Sequence, residues 1–385
     1  MTETVDPTLL SEVRKYGVFN ANGCFNCGTC TITCDLAKGS IPFPRRTMQS
    51  VVLGLKDSVR GSLDPWLCHD CGDCADACPR EANPRESMKS LRLFLTTQYD
   101  WTGLSRRICS SKAWTIAALS SVAVMVAALI LLYHLYKNVG IDTLTSTNNG
   151  GFEHMFNRIT YFTWAVFLIP AFFLVSHAVR MFSFTRRYGP NVAVPPKFYL
   201  AELKTMLGQM VTQRQILQCP ATVQRRRWLM HWLLAFGCTL MVVIKFFFLK
   251  WFQTDNIYPV YHPQRWLGYL AFACLAVGSA DILIARARKL GTIYSKFAFN
   301  DLVLPVLLLL TALSGIGVHV LRYLGLAMTA HYCYAAHLMI AVPMLLVEVP
   351  FGKSSHMIYR PLALYFAAVK ERALKSQMAE EVTVA

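Results

Sequence analysis

Hydrophobic and polar positions follow two regimes along the chain, and the change falls near residue 110. Beyond it, six apolar runs lie near 113–136, 159–183, 228–249, 266–285, 301–321 and 332–349. Each approaches the ~20 residues with which a helix crosses ~30 Å of hydrocarbon. Before it, apolar residues recur on short helical periods. Leu9, Leu10 and Val13 predict a short amphipathic helix. Met48, Val51, Val52 and Leu55 keep the 3.6-residue period behind Pro44, a residue suited to a first helical turn, and Ser87–Leu95 reads as another short helix. The pattern predicts a mainly α protein with a small, loop-rich helical domain over 1–108. A six-helix membrane domain follows over 109–365, and then a C-terminal tail over 366–385.

Between the second and third runs, Leu200, Leu203, Met206, Leu207, Met210, Val211 and Leu217 stand among charges. They predict an amphipathic helix over 197–219, lying on the membrane surface, against a partner subunit, or as a solvated connector.

Charge sets the expected orientation. The 183–228 connection carries Arg186, Arg187, Lys197, Lys204, Arg214, Arg225, Arg226 and Arg227, and 286–299 carries Arg286, Arg288, Lys289 and Lys296. The segment 137–157 holds one Lys, while 252–264 and 323–331 hold neither Lys nor Arg. Basic loops stay in the cytoplasm, so both termini and the first domain are expected there, in a multi-pass protein of a bacterial inner membrane. An even number of spans gives the same answer. The opening MTETVDPTLL lacks a basic patch followed by an apolar stretch, which predicts no cleaved signal peptide.

Composition sharpens the picture. Of 385 residues, 54% are apolar and 16% charged, with a net charge of +16. Ordinary soluble domains carry about a quarter charged residues, so a disordered chain, a disulfide-stapled secreted domain and a simple soluble enzyme are excluded. The positive charge gathers beside the apolar runs, which points to a membrane rather than to nucleic acid.

Eight of the 13 cysteines form two matching runs. The first is Cys24, Cys27, Cys30, Cys34; the second is Cys68, Cys71, Cys74, Cys78, followed by Pro79. Such clustering in a reducing compartment predicts metal ligation. Zinc ribbons use CxxC pairs rather than two four-cysteine runs. In two-cluster ferredoxin folds the fourth cysteine of each run ligates the other cluster. On that rule Cys24, Cys27, Cys30 and Cys78 hold one [4Fe–4S] cluster, and Cys68, Cys71, Cys74 and Cys34 hold the second. Iron saturated by cysteine does no bond chemistry, so the domain passes single electrons. Cys109, Cys219, Cys238, Cys274 and Cys333 read as small apolar fillers.

Five histidines sit in or beside the apolar runs, where imidazole is costly and usually functional. His177, His231 and His356 fall near the inner face, His319 and His337 near the outer. His337 and His356 are 19 residues apart, ~28 Å along a helix, which suits one haem b at each surface. The outer haem is expected between His319 and His337, and the inner one between His356 and either His231 or His177. Each histidine could instead be a polar contact between helices. Lys245 and Asp281 are unusual within apolar runs and could snorkel, or serve a haem propionate or a quinone proton. His154, His262 and His331 are expected to be solvated in outer loops. The expected fold class is a ferredoxin-like two-[4Fe–4S] domain followed by a transmembrane cytochrome b-type bundle.

With both halves in view, the N-terminal module resembles the iron–sulfur C subunit of heterodisulfide reductases. The likeness rests on the doubled cysteine runs, the Pro44–Met48 helix and the Trp66-x-Cys68 lead-in. Residues 335–365, AAHLMIAVPMLLVEVPFGKSSHMIYRPLALY, are similar to the E subunit of those complexes and to the gamma subunit of respiratory nitrate reductase. A fusion of the two resembles the C subunits of the quinone-interacting membrane-bound oxidoreductases of sulfate-reducing bacteria. The resemblance implies two soluble flavin/iron–sulfur partners similar to the heterodisulfide reductase A subunit. It further implies exchange of electrons between menaquinone and adenylylsulfate reductase. It carries haem ligation onto His337 and His356, whereas the third helix offers His231 and, ten residues on, Met241 in place of a second histidine. Two other readings remain: a haem-free anchor for the iron–sulfur relay, and a membrane subunit serving a heterodisulfide- or sulfite-reductase-type partner.

Overall fold

The computed structural model describes residues 5–37, 42–137, 151–188, 193–217, 222–252, 257–295 and 297–384. Among them no strand forms, and Val5 and Leu55 make an isolated antiparallel bridge. The chain divides into two compact units. The first comprises Met1–Ser110, Phe173–Trp228 and Phe351–Ala385, the second Ser111–Phe172 and Leu229–Pro350.

In the first unit the helix Pro84–Tyr99 runs through the core. Pro84 supplies a preset φ, and the Asn83 side chain accepts the Glu86 backbone N–H at 3.3 Å, so the helix starts ahead of the expected Ser87. Met88, Leu91 and Leu95, spaced three and four apart, are fully buried, each contributing roughly 1.5–3 kcal/mol. Trp66 Nε1 donates to Tyr99 Oη at 3.2 Å, and the Tyr359 ring stands 5.1 Å from both rings. In Arg45–Val52, Met48 and Val51 are buried, but Val52 is 51% exposed. One residue on from Val51 is 100° around the helix, which carries Val52 off the core-facing stripe.

The helix His356–Val384 is continuous through the segment expected as a tail. It turns Tyr359, Ala363 and Phe366 into the core and packs Val369 and Ala373 against Phe198. The amphipathic stretch 197–219 contains Pro196–Ala201, Leu203–Thr212 and the 3-10 turn Arg214–Leu217. Gln213, at φ 49°, ends the second of these. Positions 218 and 219, including Cys219, lie outside the described residues.

Six helices are long and apolar enough to cross a membrane: Lys112–Tyr136, Tyr161–Tyr188, Arg225–Phe247, Pro263–Ala287, Phe299–Tyr323 and Ala327–Phe351. In the second unit, Val126, Val166 and Val342 meet in one cluster and Leu275, Leu308, Ala312 and Met344 in another. Small residues allow close approach. A Cβ on Gly237 would stand 3.0 Å from that of Cys274, and one on Gly278 would stand 3.0 Å from that of Leu234. The outward faces are apolar, with Leu132 60% and Phe247 79% exposed. Water would make that surface an aggregation hazard, whereas lipid covers it without cost. The chain reads as a multi-pass membrane protein.

The expectation of a solvated His331 is corrected. The last spanning helix begins at Ala327, so His331 lies within it, 9% exposed. His262 is half-buried and stacks on Tyr258 with ring centroids 4.1 Å apart. The side chain of His154 lies outside the described set.

Candidate functional site

The two cysteine runs share a backbone design. Asn26 and Asp70, two residues after the first cysteine of each run, have φ 57°, and Gly28 and Gly72 have φ 88° and 105°. Asn, Asp and Gly tolerate the left-handed region, so the chain curls twice within five residues. One-turn helices follow at Thr29–Ile32 and Asp73–Asp76, carrying Cys30 and Cys74, and the two helices pack on each other. The repeat C-x-[N/D]-C-G-x-C was visible in the sequence, and its glycines and Asx residues are the functional positions a cysteine count overlooks.

The cysteines gather as three plus one. Cys34 lines the same small cavity as Cys68, Cys71 and Cys74. Burial pushes the Cys34 thiol up to about 11, with Cys68 and Cys71 adding to the rise. Burial likewise raises Cys30, helped by Cys24, Cys78 and Cys27. Thiols that resist ionisation on their own become ligands when a cationic metal core stabilises the thiolate. Eight thiols in two quartets therefore suit two iron–sulfur clusters. The surroundings of the quartets differ. Cys27 is exposed, and the Thr29 hydroxyl 3.3 Å away lowers its pKa. Cys68 is buried and accepts the Asp70 backbone N–H at 3.4 Å.

Asp70 anchors the second run. Arg85 Nε reaches its Oδ1 at 2.7 Å, and Arg227 Nη1 donates to its carbonyl at 2.9 Å. Burial alone would raise this carboxyl, but Lys89, Arg85, Arg227 and Arg92 hold it well below the usual carboxylate range. Arg92 donates to the carbonyls of Pro65 and Cys68, at 2.6 and 2.5 Å.

In the second unit a cavity of about 250 Å³ opens among four of the spanning helices. His319 and His337 both line it, as do Met241, Lys245, Arg265 and Arg322, and no Asp or Glu is among its described lining residues. Ser314 Oγ donates to the Leu310 carbonyl at 2.7 Å and lies 2.9 Å from His337 Nδ1. A hydroxyl that donates to Leu310 can accept from Nδ1–H, and in that tautomer Nε2 of His337 carries the lone pair. That is how a ligating imidazole is held. His319 Nε2 is instead 2.7 Å from the Tyr269 hydroxyl. An apolar slot with an imidazole lone pair and three cations suits a planar amphiphile with acidic ends.

The other candidates are dispersed. His177 and His356 belong to the first unit and His231 to the second. His177 is fully buried, with Nε2 3.4 Å from Asp100 Oδ1. His356 directs Nδ1 to the Lys353 carbonyl at 2.9 Å, and burial pushes its pKa down to about 4. Asp281 is half-buried on Pro263–Ala287 and is not among the cavity residues.

Comparison with known proteins places a 4Fe-4S dicluster domain over residues 23–83. A protein of Archaeoglobus profundus that is similar to the heterodisulfide reductase C subunit is 30% identical over 88 residues, 23% of this chain and 47% of that protein. The iron-sulfur C 2 subunit of the CoB–CoM heterodisulfide reductase of Methanocaldococcus jannaschii is 37% identical over 98 residues, 23% of this chain and 52% of that protein. The chain thus spans about half the length of these relatives. Citrate utilization protein B of Escherichia coli is 26% identical over 326 residues, 80% of this chain and 82% of that protein. No solved structure matches. The chain carries a 4Fe-4S dicluster domain similar to heterodisulfide reductase C subunits, and six helices long and apolar enough to cross a membrane.

Proposed function

We propose that the protein is the membrane subunit of a quinone oxidoreductase complex. It would pass electrons between menaquinol or menaquinone and soluble flavin/iron–sulfur subunits on the cytoplasmic side of a bacterial inner membrane. The observation that carries the reading is the pair of thiol quartets on a chain with six span-grade helices. Bound [4Fe–4S] clusters supply one-electron relay chemistry, ligated by Cys24, Cys27, Cys30 and Cys78 and by Cys68, Cys71, Cys74 and Cys34. Bound haem b supplies a low-spin one-electron carrier between a two-electron quinol and that relay.

The residues divide the work. His337, oriented by Ser314, would ligate haem iron in the second-unit cavity, and His319, on another helix lining the same cavity, is the second candidate. Lys245, Arg265 and Arg322 are placed to meet propionates or a quinone oxygen. His356 with His177 is the candidate pair for a second haem, His231 of the second unit is a separate candidate ligand, and Asp281 is a candidate for a quinone proton. Adenylylsulfate reductase as terminal partner rests on the resemblance of the fused modules.

A second reading concerns that partner alone. The relative aligned over 80% of this chain is named for citrate utilization, which favours a partner that acts in the use of citrate.

A reduced-minus-oxidised spectrum with haem and iron quantified on one purified sample tests the proposal. A haem b alpha band with about eight non-haem irons per chain, four for each cluster, is expected. Eight irons without haem would replace the redox membrane domain by a passive anchor. Reduction of the purified protein by one soluble partner and not the other separates the two partner readings.

A further inference from the structure

The two cluster sites of the first unit differ in charge as well as exposure. Around the second quartet, Arg85 is 4% exposed and pairs with Asp70. Arg227 reaches the same carboxylate at 3.4 Å, Arg92 holds the Cys68 carbonyl, and Lys89 pairs with Glu86 at 2.9 Å. Arg360 completes the set from the helix His356–Val384, which packs on Asp64–Leu67 just ahead of Cys68. Its Nη2 is sealed from solvent with no hydrogen-bond partner, and the charges of Cys68 and Asp70 act on it. His69 sits in the same field, 5% exposed. Asp70 and Glu86 stand within this set, while Asp35 is exposed and Asp73 half-buried at the rim of the cavity. Around the first quartet, Cys27 is exposed and Cys24, Cys30 and Cys78 are half-buried. Arg45, its Nε sealed without a hydrogen-bond partner, is the cation against the run beside Gly28, and Arg80 lies over the face of Phe25 at 4.2 Å.

Reduction adds one negative charge to a cluster. A buried cation stabilises that charge, and water screens charges at an exposed rim. We infer that Arg360, with Arg85, Arg92, Arg227 and Lys89, raises the reduction potential of the second cluster above that of the first. The buried site then holds the electron and the exposed site hands it on. Arg360 is a positioning residue here, since it acts on the cluster through its field rather than as a ligand. The inference rests on the two-cluster reading above.

Redox titration of the full-length, detergent-purified protein, reduced stepwise with dithionite and followed by electron paramagnetic resonance, tests it. Two signals are expected, and the one abolished by Cys71→Ser should have the more positive midpoint. In Arg360→Gln that signal moves negative by at least a tenfold change in its reduction equilibrium, about 59 mV for one electron, while the other stays in place. Arg360→Lys, which keeps the charge, leaves both in place. If Arg360→Gln does not fold, Lys89→Gln at the rim should move the same signal in the same direction by less. Equal midpoints, a reversed order, or a shift of both signals together would overturn the inference. Absence of both signals and of iron from the wild-type protein would overturn the two-cluster reading instead.

Discussion

His337 Nδ1 lies 2.9 Å from the Ser314 hydroxyl, which donates to the Leu310 carbonyl one helical turn back at 2.7 Å. The Ser314 hydroxyl thereby orients the imidazole ring. If His337 ligates haem, Ser314→Ala should lower haem affinity by roughly 10–100-fold, the usual cost of removing a partner of a ligand. The haem-to-protein ratio and the alpha band of the purified variant measure this. Ser314→Thr keeps the hydroxyl and should restore both. An unchanged ratio and spectrum in Ser314→Ala would remove His337 from the ligand set.

Asp100 ends the helix Pro84–Tyr99 and starts the next. Its Oδ1 accepts from the backbone and hydroxyl of Thr102, at 2.8 and 2.7 Å, and its Oδ2 accepts the Ser105 N–H at 2.7 Å. Burial alone would raise this carboxyl, but His177, Thr102 and Ser105 hold it well below its ordinary 3.8. Because the folded value lies under the unfolded one, the stabilisation is complete above about pH 4. It is lost as pH falls further. Asp100→Asn keeps one accepting oxygen of two and should cost ~1–3 kcal/mol at neutral pH. It should also flatten the acid limb below about pH 4. Denaturant titrations of the solubilised protein at several pH values would show both effects, and an acid limb identical to wild type would refute the linkage.

Local chemistry and periodicity were legible in the sequence. The ligands of each cysteine run lie within a few residues of one another, and spanning helices advertise themselves by length. The charged shell of the second run was not legible. Arg227 and Arg360 come from the start of the third spanning helix and from the C-terminal helix, far along the chain from Asp70. No local pattern encodes such a meeting. The histidines fall between these cases. Helical position placed His319 and His337 at one depth, and they share a cavity. The Tyr269 hydroxyl that occupies His319 is supplied by a different helix, as is the Ser314 that orients His337. His331 was misplaced because its helix begins at Ala327, five residues ahead of the apolar run 332–349.

Gly28 tests the backbone design of the first run. Its φ is 88°, and an added Cβ would stand 3.2 Å from Arg45 Nη1, the movable end of a long side chain. Strain rather than collision should therefore dominate, at about 1–2 kcal/mol for a non-glycine residue in the left-handed region. Gly28→Ala should leave the second cluster in place while loosening the first. Iron release to a chelator, followed over time, should become biphasic with about half of the iron lost faster, whereas uniform kinetics would show that the turn does not hold the cluster.

Cys34 lies in the first run, yet it lines the cavity of Cys68, Cys71 and Cys74, while Cys78 of the second run acts on Cys30. Cross-ligation makes a prediction that ligation within each run does not. Cys34→Ser and Cys71→Ser should weaken or abolish the same paramagnetic signal, and Cys78→Ser and Cys27→Ser the other, with about four irons lost per chain where a cluster fails to assemble. Serine is close in volume to cysteine and the Cys34 and Cys78 thiols are half-buried, so the small domain keeps most of its packing, and the remaining cluster reports on its fold. Were Cys34→Ser to share its lost signal with Cys27→Ser instead, each run would close on its own cluster, and the packing of Thr29–Ile32 on Asp73–Asp76 would be structural contact alone.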